Sequence, residues 1–404
     1  MASLKKNISS LVLVQLISYV VPLLQIPYLT RILGVDFFGI YAYSLVLIQF
    51  ANLIVDFGFN LYFPQLVAGG RKKSQEIGRL VYSCCIIKTI ILMPVLLAMV
   101  FLVNTNQVYS QHILFFTISF VMIIANAFTF IWLFQGLEKL YIYSRIAIVS
   151  KLLSLLFIFI VIKSPSDINK LAVINATQQI FVMAVFIYWA LKVVRIRPVR
   201  VGLRYLKVIA AKSFEFFFSR AFVAIYTSGC GLLIGNLGSP AQMALYSTAE
   251  QLYKAAQQVF SPVSQALYPY MMRTKDYRVF YRLLIGCLVI CMIGCMVGWV
   301  WGNEIIKLLY GEAFEPATNI LNVLLFALIF NTMAVMLGYP ALAPLGLSKV
   351  ANKSVIYAGI VQLILFLIIA LTSTNRLPIN VAYSVLASES IVMLIRLTAL
   401  KGKK

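Results

Sequence analysis

The sequence predicts an all-α protein that crosses a membrane many times. Of its 404 residues 62% are hydrophobic, only 11% are charged, and the apolar runs are long. A soluble domain carries about 25% charged residues, and a helix needs about 20 apolar residues to cross a bilayer. A transmembrane β-barrel would instead show alternating segments of about ten residues, and the sequence has none of these.

Twelve apolar runs are each predicted to form one transmembrane helix, and the fifth and twelfth are the shortest. The predicted spans cover residues 9–29, 37–57, 80–103, 113–135, 146–162, 171–191, 214–234, 244–271, 283–302, 318–338, 354–372 and 380–395. The N-terminus has the basic start of a signal sequence. We interpret it as a retained first span, because its apolar body is too long and no small-residue cleavage site follows.

The basic residues predict the orientation of the chain. Of the 34 Lys and Arg residues, 25 fall on one side of the spans and four fall inside spans. The other side holds five, namely Arg31, Lys163, Lys170, Lys307 and Arg376. The positive-inside rule places the basic side, with both termini, in the cytoplasm. The net charge of +22 therefore reflects topology, and nucleic acid is not expected as a partner.

The chain is predicted to divide into two halves. Residues 1–191 are expected to form an N-terminal six-helix bundle, 192–212 a basic cytoplasmic linker, and 213–404 a C-terminal six-helix bundle. The linker is expected to touch anionic headgroups or to have a regulatory role. A Leu-Gly turn followed by a tyrosine recurs at the same place in each half, which suggests parallel repeats. The residues concerned are Leu33, Gly34 and Tyr41, and Leu237, Gly238 and Tyr246.

Charged residues inside apolar helices mark the candidate site. Each costs at least about 2.5 kcal/mol in hydrocarbon and therefore faces a partner or a water-filled cavity. The candidate substrate-binding cations are Lys88, Lys151, Arg220 and Lys254. Lys254 and Arg220 either line a cavity or form packing pairs with Glu250 and Glu215. Lys151, near the inner end of its span, either lines the cavity or snorkels to the interface.

The candidate coupling groups or charge partners are Glu250, Asp56 and Glu215. Glu250 could carry a proton or simply neutralise Lys254, with which it shares a helix face at i, i+4. Asp56 ends its span and could have a structural role there. We expect Glu389 at the membrane interface.

Cysteines and histidine predict no metal site. Cys287, Cys291 and Cys295 repeat at i, i+4, i+8 beside Gly294. We interpret this as a stripe of small residues for close helix packing. With a single histidine, His112, a catalytic or metal-binding role for that residue type is not expected. No cofactor is predicted.

Four motifs resemble those of O-antigen (Wzx-type) flippases of the polysaccharide transport group, which share a superfamily with multidrug and toxin extruders. They are RILGVDFFGIY at 31–41, DFGFN at 56–60, WLFQGLE at 132–138, and LYSTAEQL at 245–252 followed by Pro262 and Tyr268-Pro269. The resemblance implies two six-helix bundles around a central cavity that alternates its access.

The resemblance also implies the cargo and the location. The cargo would be an oligosaccharide on undecaprenyl diphosphate, the O-antigen repeat unit of lipopolysaccharide. It would pass from the cytoplasmic to the periplasmic leaflet of the bacterial inner membrane. Partners would be the bilayer and the lipid-linked oligosaccharide, with a polysaccharide polymerase and chain-length proteins beside them. The protein would not be an enzyme, so no catalytic residues are expected.

Three other functions are known for polytopic membrane proteins of this size. A multidrug exporter of the same superfamily should have an acidic cavity, whereas the charged set here is at least as cationic as anionic. An O-antigen polymerase needs a large periplasmic loop with catalytic residues, and the longest outer loop here, 303–317, has about fifteen residues. A channel would need a re-entrant filter loop, which the sequence does not suggest.

Overall fold

The computed structural model describes residues 2–68, 74–193, 199–372 and 376–402. Over these ranges the chain consists of helices and short turns, and no strand occurs. The predicted all-α class is therefore confirmed. Part of the predicted basic linker, residues 194–198, lies outside the described ranges.

The described helices follow one another with short connections. In chain order they are α1 (Ala2–Asp56), α2 (Phe59–Ala68), α3 (Ser74–Thr105), α4 (Gln107–Ser110), α5 (Ile113–Ala127), α6 (Ile131–Gly136), α7 (Leu140–Val161), the 3-10 helix η1 (Pro165–Asp167), α8 (Ile168–Val193), α9 (Leu203–Leu237), α10 (Pro240–Thr274), α11 (Tyr277–Tyr310), η2 (Glu312–Phe314), α12 (Ala317–Leu337), α13 (Tyr339–Leu342), η3 (Ala343–Leu345), α14 (Ser348–Thr372) and α15 (Leu377–Lys401).

Each predicted span lies along one of these helices or, for the fourth span, along α5 and α6. Nine stretches of the described residues are long and apolar enough to cross a bilayer. Helix α9 contributes only the shorter apolar stretch Ser228–Leu237, and α10 contributes none. These two helices carry many of the polar residues. The multi-pass membrane class is confirmed, while the count of twelve spans and the cytoplasmic termini stay predictions.

The first two predicted spans are joined in α1 by a break at Gly34. A straight helix of 55 residues would be about 80 Å long, far more than the ~30 Å hydrocarbon core. Gly34 has φ 71° and ψ −179°, which interrupts the helix. Glycine adopts this positive φ without a steric penalty. The predicted Leu-Gly turn is therefore the point where the chain changes direction between two spans.

The chain forms two compact units. The first unit consists of Met1–Leu33 and Ser44–Ala221, and the second of Gly34–Tyr43 and Phe222–Lys404. Helix α9 therefore contributes residues to both. The predicted division at 192–212 concerned two bundles around a cavity, and it stays a prediction.

An aromatic core in the first unit packs α2, α6 and α8 together. Trp132 is fully buried, with its ring 4.8 Å from that of Phe63, and Phe134 contacts Phe186 at the same distance. Gly136 permits the close approach of α6 to α2, because an added Cβ would lie 2.6 Å from the Cβ of Val67. The WLFQGLE motif thus supplies packing residues of this unit.

In the second unit, the last part of α9 leads through a short turn into α10. Ser239 caps α10 by accepting a hydrogen bond from the backbone N–H of Gln242, whose side chain accepts one from the backbone of Ser239. Pro240 follows at the first helical position, where its fixed φ suits a helix start. This capped turn lies between the seventh and eighth predicted spans, 214–234 and 244–271.

The segment Gly34–Tyr43 packs against the same turn. The Tyr43 hydroxyl donates to the side-chain oxygen of Asn236 at 3.0 Å. A Cβ added at Gly235 would lie 2.0 Å from the Tyr43 ring, and one added at Gly39 would lie 1.8 Å from the Pro240 carbonyl oxygen. The two turns that resemble each other in sequence are therefore in contact with one another.

Candidate functional site

One group of charged residues in the first unit is built around Asp56. This residue ends α1 and is followed by Phe57 and Gly58, which have φ values of 47° and 81° and turn the chain into α2. A carboxylate at a helix C-terminus is disfavoured by the helix dipole. Asp56 therefore requires cations or hydrogen-bond donors close to it.

Three side chains meet that requirement. Lys88 Nζ lies 4.0 Å from Asp56 Oδ1, and Arg220 Nη1 lies 3.4 Å from Asp56 Oδ2. The side-chain amide of Asn60 also donates to Asp56 Oδ1. Of the predicted site residues, the structure thus brings together Asp56, Lys88 and Arg220, which come from α1, α3 and α9. We name these three residues the Asp56 cluster.

The two cations of the Asp56 cluster differ in exposure. Lys88 is buried and also donates to the carbonyl of Ala127 at 3.0 Å, where α5 ends without a helical partner for that oxygen. Arg220 keeps 47% of its side chain exposed. The cluster holds two cations and one carboxylate, and its exposed member is a guanidinium. It can therefore receive an anion through the free donors of Arg220.

The sequence had suggested Glu215 as the packing partner of Arg220, whereas the structure places Asp56 there. Aromatic contacts in the first unit explain the placement. The ring of Phe217 stacks on Phe57 with 5.6 Å between centroids, and Phe214 lies 5.8 Å from the same ring. These contacts fix α9 against the turn that follows Asp56. Arg220 lies three residues after Phe217, which is on the same face of the helix.

A second group of charged residues lines a cavity in the second unit. Glu250 and Lys254 form an ion pair of 2.9 Å on α10, with 19% and 46% of their side chains exposed. Both line a cavity of about 290 Å³. The other polar lining residues come from α9, α10, α12, α14 and α15, and they are Cys230, Tyr246, Tyr253, Gln257, Gln258, Ser261, Asn331, Thr332, Gln362 and Glu389.

Glu389 was expected at the membrane interface, and that prediction is wrong. It lies near the middle of α15, is only 5% exposed, and lines this cavity. The interfacial prediction rested on a weakly defined last span. The structure extends α15 over Leu377–Lys401, which moves Glu389 away from either end.

Sequence reasoning did not single out the polar network beside Glu389. Gln362 is fully buried and donates to Ser384 Oγ at 2.8 Å, while the Ser388 hydroxyl donates to the Gln362 side-chain oxygen. Ser384 and Ser388 lie at i, i+4 on α15, and Ser388 directly precedes Glu389. That spacing in the sequence could have marked a polar face on the last helix.

Two predicted site residues fall outside both groups. Lys151 lies half-buried on α7, and Glu215 lies exposed in the first half of α9. Cys291 and Cys295 pack against α12, where Cys295 Sγ contacts the Leu325 carbonyl oxygen at 3.4 Å. Gly294, which was predicted to share this stripe, has no neighbour within 4 Å of an added Cβ. Among the described residues, no group of three His, Cys, Asp or Glu side chains could hold a metal ion.

A family model and two relatives match this chain. The profile of the polysaccharide biosynthesis protein family matches residues 4–275. A protein of Escherichia coli (strain K12) named "Putative O-antigen transporter" is 24% identical over 414 residues, which cover 100% of this chain and 98% of that protein. A protein of Shigella dysenteriae with the same name is 29% identical over 284 residues, 70% of this chain and 71% of the relative.

Two solved structures share the fold. The lipid II flippase MurJ superposes with a TM-score of 0.73 at 15% identity, covering 96% of this chain and 86% of its own. A multidrug resistance MATE family transporter of the MOP superfamily gives 0.72 at 13% identity, covering 95% of each chain. The resemblance drawn from the four motifs is confirmed. Both relatives are named as O-antigen transporters, and the two solved structures are a lipid II flippase and a multidrug transporter.

Proposed function

The chain belongs to the polysaccharide biosynthesis protein family, and on that basis we propose that it is a flippase for a lipid-linked oligosaccharide. The proposed cargo is an O-antigen repeat unit on undecaprenyl diphosphate. The protein moves it from the cytoplasmic to the periplasmic leaflet of the bacterial inner membrane by alternating access. The names of the two relatives and the shared fold support this proposal.

The observation that carries the proposal is the half-exposed guanidinium of Arg220 in the Asp56 cluster. A diphosphate that leaves water needs compensating positive charge, because an unpaired buried anion is very costly. The cluster has a surplus cation, and Arg offers a planar fork that suits phosphate oxygens. By the predicted topology, Arg220 lies about 9 Å from the inner end of its span, which suits loading from the cytoplasmic leaflet.

The cavity around Glu250 has a different proposed role. It contains two carboxyl groups, Glu250 and Glu389, and one cation, Lys254. Its amides and hydroxyls suit sugar hydroxyls, and its carboxyl groups suit an exchangeable proton or ion. We therefore assign Glu250 to coupling and keep Lys254 as a second substrate-binding cation. Asp56 holds Arg220 in place, Lys88 pairs with the other carboxylate oxygen of Asp56, and the roles of Lys151 and Glu215 stay predictions.

A second candidate function rests on that same cavity. A multidrug exporter should have an acidic site, and two carboxyl groups against one lysine fit that description. The two functions differ in what the host loses without the gene. If the protein is a flippase, the deletion strain loses surface polysaccharide. If it is an exporter, the deletion strain keeps surface polysaccharide and becomes sensitive to cationic drugs.

Deletion of the gene in its bacterial host tests the proposal. We expect loss of long-chain surface polysaccharide and accumulation of lipid-linked repeat units in the cytoplasmic leaflet. A membrane-impermeant oxidant applied to spheroplasts locates those units, because it reaches only sugars in the outer leaflet. Restoring the gene on a plasmid is the control. Oxidant-accessible, unpolymerised units would contradict the proposal and favour a polymerase, and unchanged polysaccharide would favour the exporter.

A further inference from the structure

A second polar cavity in the second unit plays no part in the mechanism above. It has a volume of about 570 Å³, within the ~300–1,000 Å³ typical of ligand sites. Its walls are one face of α12, one face of α15 and a residue of α11. By the predicted topology this end of the three helices faces the periplasm, because Arg376 belongs to the sparsely charged outer side. The cavity is thus predicted to open where a cargo would leave.

Three aromatic rings of the lining are about half exposed. Trp299, Phe326 and Tyr383 are 49%, 41% and 54% exposed. Trp299 and Phe326 meet edge to face, with ring centroids 4.4 Å apart and an interplanar angle of 73°. Aromatic rings offer a flat apolar face of negative potential. Such a face suits the C–H groups on one side of a sugar ring.

Amides and a guanidinium complete the lining. Asn319 and Asn322 on α12 and Asn380 on α15 line the cavity together with Arg376, which caps α15. The side-chain oxygen of Asn322 is buried and has no hydrogen-bond partner among the described residues. A carbonyl oxygen needs a donor. Sugar hydroxyls donate as well as accept, whereas a lipid phosphate only accepts.

We propose that this cavity is a saccharide subsite on the outer side of the protein. It holds the sugar portion of the cargo after translocation. This inference rests on the proposed flippase function and adds a place where the chain recognises sugar rather than diphosphate. Aromatic belts also occur at membrane interfaces, but three asparagines beside the rings and an unsatisfied amide oxygen are features of a polar ligand site.

The test measures binding of the saccharide without its lipid. The probe is the oligosaccharide released by mild acid from the host's lipid-linked repeat units, added to the full chain in nanodiscs. Calorimetry and saturation-transfer NMR follow binding to wild type, Asn322→Leu and Tyr383→Leu. The matched control is Tyr357→Leu, since Tyr357 is 50% exposed on α14 and does not line the cavity. We expect affinity to fall at least tenfold in the two cavity variants and to be unchanged in the control.

Three outcomes would overturn the subsite. They are equal affinity in all four proteins, an equal loss in Tyr357→Leu, and displacement of the saccharide by glycerophosphoglycerol, a soluble phospholipid headgroup. Failure of the flippase proposal gives a different result, because the deletion strain then either keeps normal polysaccharide or accumulates oxidant-accessible repeat units, and the subsite proposal fails as well. If the deletion abolishes polysaccharide while both cavity variants bind and complement normally, only the subsite is refuted.

Discussion

At the scale of single residues, the two charged groups differ in the distance along the chain between the residues that pair. Glu250 and Lys254 are neighbours on one helix, so local geometry brings them together. Asp56 and Arg220 are 164 residues apart and meet only because α9 packs on the turn that follows α1. Removing one partner of a group therefore has different consequences in the two places.

Arg220 is expected to show a graded response to substitution. Arg220→Lys keeps the charge but loses the planar fork, so export should be impaired. Arg220→Ala should nearly abolish it, because a charge-assisted hydrogen bond contributes about 1.5–3 kcal/mol, or roughly 10- to 100-fold. Surface polysaccharide in a complemented deletion strain measures the effect at normal protein levels. Arg278→Ala, an exposed arginine on α11, is the matched control, and equal export by Arg220→Ala and wild type would remove Arg220 from the site.

Glu250 and Lys254 are separated by a double-mutant cycle. If Lys254 contacts the diphosphate, Lys254→Met and the double variant Glu250→Gln/Lys254→Met should both fail to complement. If Glu250 and Lys254 only neutralise each other, each single variant loses function. The double variant then regains it, since no unpaired buried charge remains. Complementation of the deletion strain gives the readout, and Arg273→Met at the end of the same helix is the control. Recovery in the double variant would exclude substrate binding by Lys254.

At the scale of elements, Gly34–Tyr43 packs closely against the α9–α10 turn in the second unit. Both contacts depend on glycine, because an added Cβ would overlap Pro240 backbone at Gly39 and the Tyr43 ring at Gly235.

Arg396 provides another inter-helix link, donating to the carbonyls of Ala334 and Ala351 from α15. In the sequence, Arg396 was one of the 25 basic residues that predicted the orientation. In the structure it also satisfies the carbonyl of Ala334 in the last turn of α12.

Substitution of these glycines should lower stability. Gly39→Ala is expected to cost about 1–3 kcal/mol, as overpacking does, and to cost more than Gly235→Ala. The neighbour of Gly39 is backbone and cannot move alone, whereas the neighbour of Gly235 is a side chain. Thermal unfolding of the purified protein measures both. Gly294→Ala is the control, because a Cβ there meets nothing within 4 Å, and unfolding temperatures equal to that control would contradict the contact.

At the scale of the whole molecule, the orientation rests on the bias of 25 basic residues against five. Reporter fusions at Arg200 and Lys404 test it. Both positions should be active with a reporter that works only in the cytoplasm and silent with one that works only in the periplasm. A periplasmic signal at both positions would invert the topology. Opposite signals at the two would contradict the even number of spans in the second half.

The sequence by itself determined the membrane class, the helical segments and the local pairs. Length and hydropathy suffice for spans because lipid leaves the backbone no partner outside its own helix. The Glu250–Lys254 pair followed from the helical repeat alone. The four motifs also indicated the family, and three of them lie at turns or helix ends.

Only the tertiary structure decided which distant residues meet. Asp56 could be matched with Arg220 and Lys88, and Glu389 placed in a cavity with Gln362, only after helix packing was known. Hydropathy along a helix tells how apolar a face is but not which neighbour covers it. Contacts between residues far apart in the chain depend on how side chains of several helices fit together, and a single sequence carries no direct record of that fit.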